Sequence, residues 1–137
     1  MGLHHSSQAE VYVHFVWATW NRYPLLTEHI RPRVYNCIRG ECARMKAEVV
    51  AIGGLDDHVH VLVRIPATLA LSALVKQVKG ASSHMVNHTS EDVRFKWQGG
   101  YGAFSVSRRL LPQAREYVLH QEERHRRGNL VRIFEPR

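Results

Sequence analysis

The stretch "DDHVHVLVRI", Asp56 to Ile65, decides how the rest of the chain is read. Successive side chains of a β-strand point to opposite faces. Val59, Val61, Val63 and Ile65 therefore make one unbroken apolar face, and His58, His60, Leu62 and Arg64 make the other. The valine face needs a hydrophobic cover. The other face does not, and the alternation predicts two neighbouring imidazoles on an open side of a sheet. Paired imidazole nitrogens are good ligands for a divalent cation.

Upstream, "EVVAIGGL" (48–55) reads as the preceding strand, joined by a tight hairpin through Leu55, Asp56 and Asp57. "EVYVHFVWAT" (10–19), rich in β-branched and aromatic residues, is a first strand. Residues 27–45 place Ile30, Val34, Cys37, Ile38 and Met45 at helical spacing, with Thr27 the expected N-cap and Pro32 tolerated in the first turn. After Pro66, Thr68 is expected to cap a second helix whose stripe is Leu71, Leu74, Val75, Val78, Ser82 and Met85. Residues 93–107 form a glycine-broken strand region, and a last helix opens at Pro112 and runs through "QAREYVLHQEERHRR" towards Gly128. The order predicts an α+β, ferredoxin-like βαββαβ sandwich, an antiparallel sheet with helices on one face, plus a C-terminal helix.

A chain of 137 residues makes one domain, taken as residues 9–137, with residues 1–8 an expected disordered tail. Hydrophobic content of 45% beside 23% charged residues is globular. The net charge of +7 favours a polyanionic partner, nucleic acid before an anionic membrane. No apolar run approaches a membrane span, and the first residues have no signal-peptide core. Cys37 and Cys42 match no zinc or redox spacing and read as two small residues in a reducing cytoplasm.

On the last helix Tyr117 and Gln121 stand at i and i+4 and so share a face, with His125 a further turn along. Brought against two imidazoles, they would make a compact centre. The nitrogens hold a cation, Gln121 offers an oxygen ligand, and Tyr117 attacks an electrophile. The bland alternative is a tyrosine edge-packed on a surface helix. The apolar stripe here looks thin, Ala114 and Val118, which predicts a helix weakly held by its own domain.

Together these residues resemble the small single-tyrosine HUH transposases of bacterial and archaeal insertion sequences (the IS-two-hundred type). The resemblance runs through "HFVWATWNRYPLL" (14–26), "GGLDDHVHVLVRIP" (53–66), "LVKQVKGASS" (74–83), "WQGGYGAFSVS" (97–107) and "YVLHQEERH" (117–125). A lone His-x-His is weak; the same pair followed by a glycine-rich segment and Tyr-x-x-x-Gln is specific. The resemblance implies that His58, His60 and Gln121 ligate Mg²⁺ or Mn²⁺ and that Tyr117 is the nucleophile. It implies cleavage and rejoining of single-stranded DNA with hairpin ends through a 5′-phosphotyrosine link. It also implies a homodimer in which the tyrosine helix acts in trans. Asp56 and Asp57 are hairpin residues that could orient an imidazole.

Three positions depart from the family pattern. Trp20 stands where lysine is common, His120 where asparagine precedes the glutamine, and Arg124 where a histidine is frequent. Trp20 puts a phosphate contact there in doubt and suggests base stacking instead. Arg22, Lys76, Lys79, Arg124 and Arg126 are the candidate backbone contacts, with Trp97 and Tyr101 further stacking candidates, Trp97 equally readable as core.

Other readings stay in view. A non-catalytic single-stranded nucleic-acid binder with the same topology leaves the Tyr117–Gln121 pairing unexplained. A replication initiator or relaxase shares the histidine pair but comes with larger chains. A domesticated repeat-processing relative would carry the same site. A metallohydrolase barrel needs about 250 residues and is excluded by length.

Overall fold

In the computed structural model, which describes residues 9–89 and 94–121, the valine-rich stretch lies inside a sheet. It is β3 (His58–Ile65), paired on one side with β2 (Glu48–Gly54) and on the other with β1 (Val11–Ala18). β4 (Gly102–Val106) pairs with the outer side of β1, so the order is β2-β3-β1-β4 with every pairing antiparallel. A bulge between Val49 and Ala51 shifts the register of β2 against β3. With α1 (Arg31–Arg44) after β1 and α2 (Leu71–Thr89) after β3, the connectivity is the ferredoxin-like βαββαβ expected from the sequence.

The alternating side chains Val59, Val61, Val63 and Ile65 of β3, with Val13, Phe15 and Trp17 of β1, form the main core. Val34, Ile38 and Cys42 of α1 and Leu74, Val75, Val78 and Val86 of α2 cover them. Burying such a side chain contributes roughly 1.5–3 kcal/mol, so this layer dominates the stability of the fold. Glu41 ties the two helices together, accepting from Gln77 Nε2 at 2.9 Å and pairing with Arg44 at 3.2 Å. Trp97 also belongs here. It is 7% exposed, donates Nε1 to Ser82 Oγ at 2.9 Å, and meets Trp17 edge to face.

Two helix starts differ from expectation. Thr27 Oγ1 does accept from the Ile30 amide, at 3.3 Å, but this closes a turn that precedes the regular helix at Arg31. Thr68 is not the cap of α2. The helix begins at Leu71, and its Leu74 amide bonds to the Ala70 carbonyl, because Pro66 and the turn closed by Leu69 on its carbonyl take up the intervening residues.

The larger difference is on the other face. It is not open. α3 (Leu111–Leu119) lies across β2 and β3, following a 3-10 turn in which Ser107 Oγ accepts from the Leu110 amide. Its buried stripe is Ala114, Tyr117 and Val118, continued by Gln121, packed against Ala51, Leu62 and Val106. Ala114, Tyr117 and Val118 follow the i, i+3, i+4 spacing of an amphipathic helix, and Gln121 follows just past the C-cap His120. The stripe is thin only if the tyrosine ring and the glutamine are counted as polar. The fold therefore contradicts the expectation that α3 lacks a surface of its own.

Residues 1–8 and 122–137, with the expected helix stop at Gly128, lie outside the described residues, and α3 ends at Leu119 with His120 as its C-cap, short of the single run expected from Pro112. Cys37 and Cys42 are free thiols. Among the described residues no helix is long and apolar enough to cross a membrane.

Candidate functional site

Strand register brings the site together. β1 sets Ala18 opposite His58 and Val16 opposite His60, while β2 sets Gly53 opposite His60. A side chain at Gly53 would put its Cβ 1.9 Å from the Val118 carbonyl oxygen, so only glycine lets the α3 backbone come down onto the sheet here. That approach lowers Tyr117 against the histidines. The His58 and His60 rings are 5.0 Å apart between centroids at 75°, and the Tyr117 ring is 5.8 Å from His60 at 79°. The three side chains are sealed, with relative exposures of 2%, 0% and 1% for His58, His60 and Tyr117.

Each histidine is held through Nδ1. His58 Nδ1 donates to Asp57 Oδ1 at 2.8 Å, and Asp57 Oδ2 receives Arg22 Nε at 3.3 Å. Partial burial works against the Asp57 charge, but the His58 hydrogen bond and the Arg22 guanidinium outweigh it and hold the carboxyl below its ordinary range. An ionised Asp57 fixes the proton of His58 on Nδ1, so Nε2 is the nitrogen it would offer a cation.

His60 has a partner that the sequence reading did not single out. His14 Nε2 lies 2.8 Å from His60 Nδ1, with the two rings 25° from coplanar and their centroids 5.0 Å apart. That is an edge-to-edge hydrogen bond rather than a face-to-face stack. His14 is wholly buried, and burial pushes its pKa down to about 4. The available signal was the alternation of β1, which puts Tyr12, His14 and Val16 on the face opposite Val13, Phe15 and Trp17.

Gln121 is 1% exposed. Its Nε2 donates to the Tyr117 carbonyl at 2.8 Å, and its buried Oε1 has no hydrogen-bond partner among the described residues. A buried amide oxygen without a proton donor suits a cation. Among the described residues no three His, Cys, Asp or Glu side chains converge as a ligand set. The donor types present, two imidazoles and a buried amide oxygen, are ones a divalent cation accepts.

The remaining candidates scatter. Asp56 is exposed, and its carbonyl accepts from the Leu26 amide at 2.8 Å, a turn role. Trp20, 38% exposed, has the Lys96 ammonium 3.9 Å from its ring centroid. Tyr101 is also exposed. Lys76 is exposed on α2, in the helical layer that covers the valine face. Lys79 is spent on the loop, donating to the Gln98 and Gly100 carbonyls at 2.6 and 2.9 Å, and burial lowers its pKa. His120 pairs with Glu116 at 2.9 Å on the exposed side of α3. Arg124, His125 and Arg126 lie outside the described residues.

Comparison with known proteins bears on this arrangement. The family model described as "Transposase IS200 like" matches residues 7–121, spanning β1 to Gln121. The chain belongs to the IS200-like transposase family. Transposases for insertion sequence element IS200 from Salmonella typhimurium and Salmonella typhi are each 26% identical over 129 residues, covering 90% of this chain and 84% of theirs. Two solved structures share the fold. A transposase candidate from Deinococcus radiodurans superposes with a TM-score of 0.67 at 22% identity, covering 83% of this chain and 92% of that one. A REP-associated tyrosine transposase bound to a REP hairpin gives 0.66 at 14% identity, covering 92% of this chain and 75% of that one. Family membership makes the protein a DNA-recombining enzyme by class, and the match reaches the last of the four residues assigned by resemblance, Gln121.

Proposed function

We propose that this transposase cleaves and rejoins single-stranded DNA with Tyr117 as nucleophile, moving an insertion sequence whose ends fold as hairpins. The observation that carries the reading is the Tyr117 ring set beside His60, with the buried Gln121 amide hydrogen-bonded to the Tyr117 carbonyl. Tyr117 Oη attacks the scissile phosphorus and loses its proton as the new P–O bond forms. The bond to the 3′ oxygen breaks, and that oxygen leaves as a 3′-hydroxyl. The phosphotyrosine ester keeps the bond energy, so attack by a second 3′-hydroxyl restores the phosphodiester without ATP. Mg²⁺ or Mn²⁺ held by His58, His60 and Gln121 would supply Lewis-acid polarisation of the phosphate.

The closed packing sets a condition on this chemistry. With His60 fully buried, a phosphate reaches the pair only when α3 lifts from β2 and β3. The homodimer implied by the resemblance belongs to the same proposal. A helix exchanged between identical chains meets an identical surface, and the Ala114–Tyr117–Val118–Gln121 stripe would dock on the partner as it does at home. The hairpin carried by one solved relative supports a structured DNA end as the recognised feature.

Incubation with a pool of single-stranded hairpin DNA and Mn²⁺, followed by denaturing electrophoresis and sequencing of covalently trapped fragments, tests the reading. The wild-type protein is expected to give a protein–DNA adduct and Tyr117→Phe none; an adduct with Tyr117→Phe removes the assignment. Mixed His60→Ala and Tyr117→Phe chains should recover activity if the helix works in trans. The absence of any adduct with the wild-type protein favours the non-catalytic binder.

A further inference from the structure

We propose that His14 is a positioning residue for the candidate metal centre, fixing both the orientation and the tautomer of His60. The inference rests on the metal-dependent reading of the site and concerns a residue which that reading does not use.

The hydrogen bond between His14 Nε2 and His60 Nδ1, 2.8 Å long, needs one donor and one acceptor. A cation on His60 occupies the Nε2 lone pair and leaves the ring proton on Nδ1. His60 must then donate and His14 must accept. The reverse arrangement, His14 donating, would place the His60 proton on Nε2 and block the ligand. Both rings are 0% exposed, so bulk water is not at hand to replace the partner. The near-coplanar rings allow the bond to set the His60 ring plane.

The two metal ligands are thereby held unequally. His58 leans on a carboxylate that is itself tied to Arg22, whereas His60 leans on a second imidazole. A carboxylate raises ligand basicity more than a neutral ring does, and orienting partners of this kind commonly change metal affinity by about 10–100-fold when removed. Cross-strand geometry makes the device possible. His14 stands opposite Leu62, two pairs along from the Val16–His60 pair, so its ring reaches diagonally to its neighbour on the same face.

The test combines a tautomer readout with a binding readout, neither requiring DNA. Long-range ¹H–¹⁵N correlation spectra of the metal-free wild-type protein should show His60 protonated at Nδ1. His14→Phe, which removes the acceptor, should weaken Mn²⁺ binding about 10–100-fold by calorimetry. His14→Gln, which restores an acceptor oxygen, should return it to within a few-fold. A His60 proton found on Nε2, or Mn²⁺ affinity unchanged in His14→Phe, overturns the proposal. A wild-type protein with the Nδ1 proton but no Mn²⁺ binding supports the His14–His60 pairing while removing the metal reading.

Discussion

His14 shows how one residue's environment turns into behaviour. The rings of His60, Phe104 and Tyr117 all lie within 6.4 Å of its own, measured between centroids. Charging it there is costly, and its pKa is held at about 4 instead of the ordinary 6.5. An unfolded chain takes up that proton near pH 6.5, whereas the folded one resists until about pH 4. The unfolded state therefore binds more protons between these values, and stability falls as pH falls through the window. Above pH 6.5 the contribution is complete; below about 4 it is gone. The shift corresponds to roughly 3 kcal/mol. Urea unfolding in EDTA at pH 7 and pH 4 should show the wild-type protein losing about that much more than His14→Gln, which has no ring to titrate. Parallel losses in the two proteins would contradict it.

At the level of elements, the decisive contact is α3 on β2. The Val118 carbonyl sits where a Cβ of residue 53 would be, so Gly53→Ala must push the helix away or distort the strand. Overpacking of this kind costs typically 1–3 kcal/mol. Hydrogen exchange should show α3 amides losing protection while β1 and β3 keep theirs. Gly40→Ala on α1 is the contrast. Nothing lies within 4 Å of its added Cβ, and replacing glycine inside a helix should stabilise by about 1 kcal/mol in chemical denaturation. An α3 as protected in Gly53→Ala as in the wild-type protein would show that the helix has room to spare. The same elements show where sequence patterns end. β1 and β3 were legible because alternation survives any context. α3 was legible as a helix but not as a docked one, because Tyr117 and Gln121 count as polar in a pattern and fill the stripe in the structure. The Thr68 cap was misplaced because propensity does not say how far a Pro66 turn runs. His58, His60 and Tyr117 could be singled out from motif spacing. His14 could not, since a lone histidine in an apolar strand gains meaning only when β1 is registered against β3.

Across the whole molecule, the sheet divides charge from chemistry. α1 and α2 cover the valine face, so Lys76 on α2 projects from the layer opposite the histidines, and Lys79 is bound to the 98–100 loop. A net charge of +7 draws DNA towards the protein without saying which side it meets. At the histidine end of the sheet, Trp20 and Lys96 are proposed here to receive a strand. Trp20 follows Ala18 and Thr19, whose partners are His58 and the Asp57 carbonyl, and Lys96 lies over its ring. A base stacked on Trp20 and a phosphate on Lys96 would lead a strand towards the site, and the two contributions respond differently to salt. Each phosphate neutralised on single-stranded DNA adds about 0.7 to the slope of log affinity against log salt, while stacking adds about 1–3 kcal/mol per base with little salt dependence. Fluorescence anisotropy with a short single-stranded oligonucleotide across a salt series should therefore separate three variants. Lys96→Ala should reduce the slope by about 0.7. Trp20→Ala should weaken binding at every salt concentration while keeping the slope. Lys76→Ala should change neither, and a slope reduced as much by Lys76→Ala as by Lys96→Ala would place the strand on the helical face instead.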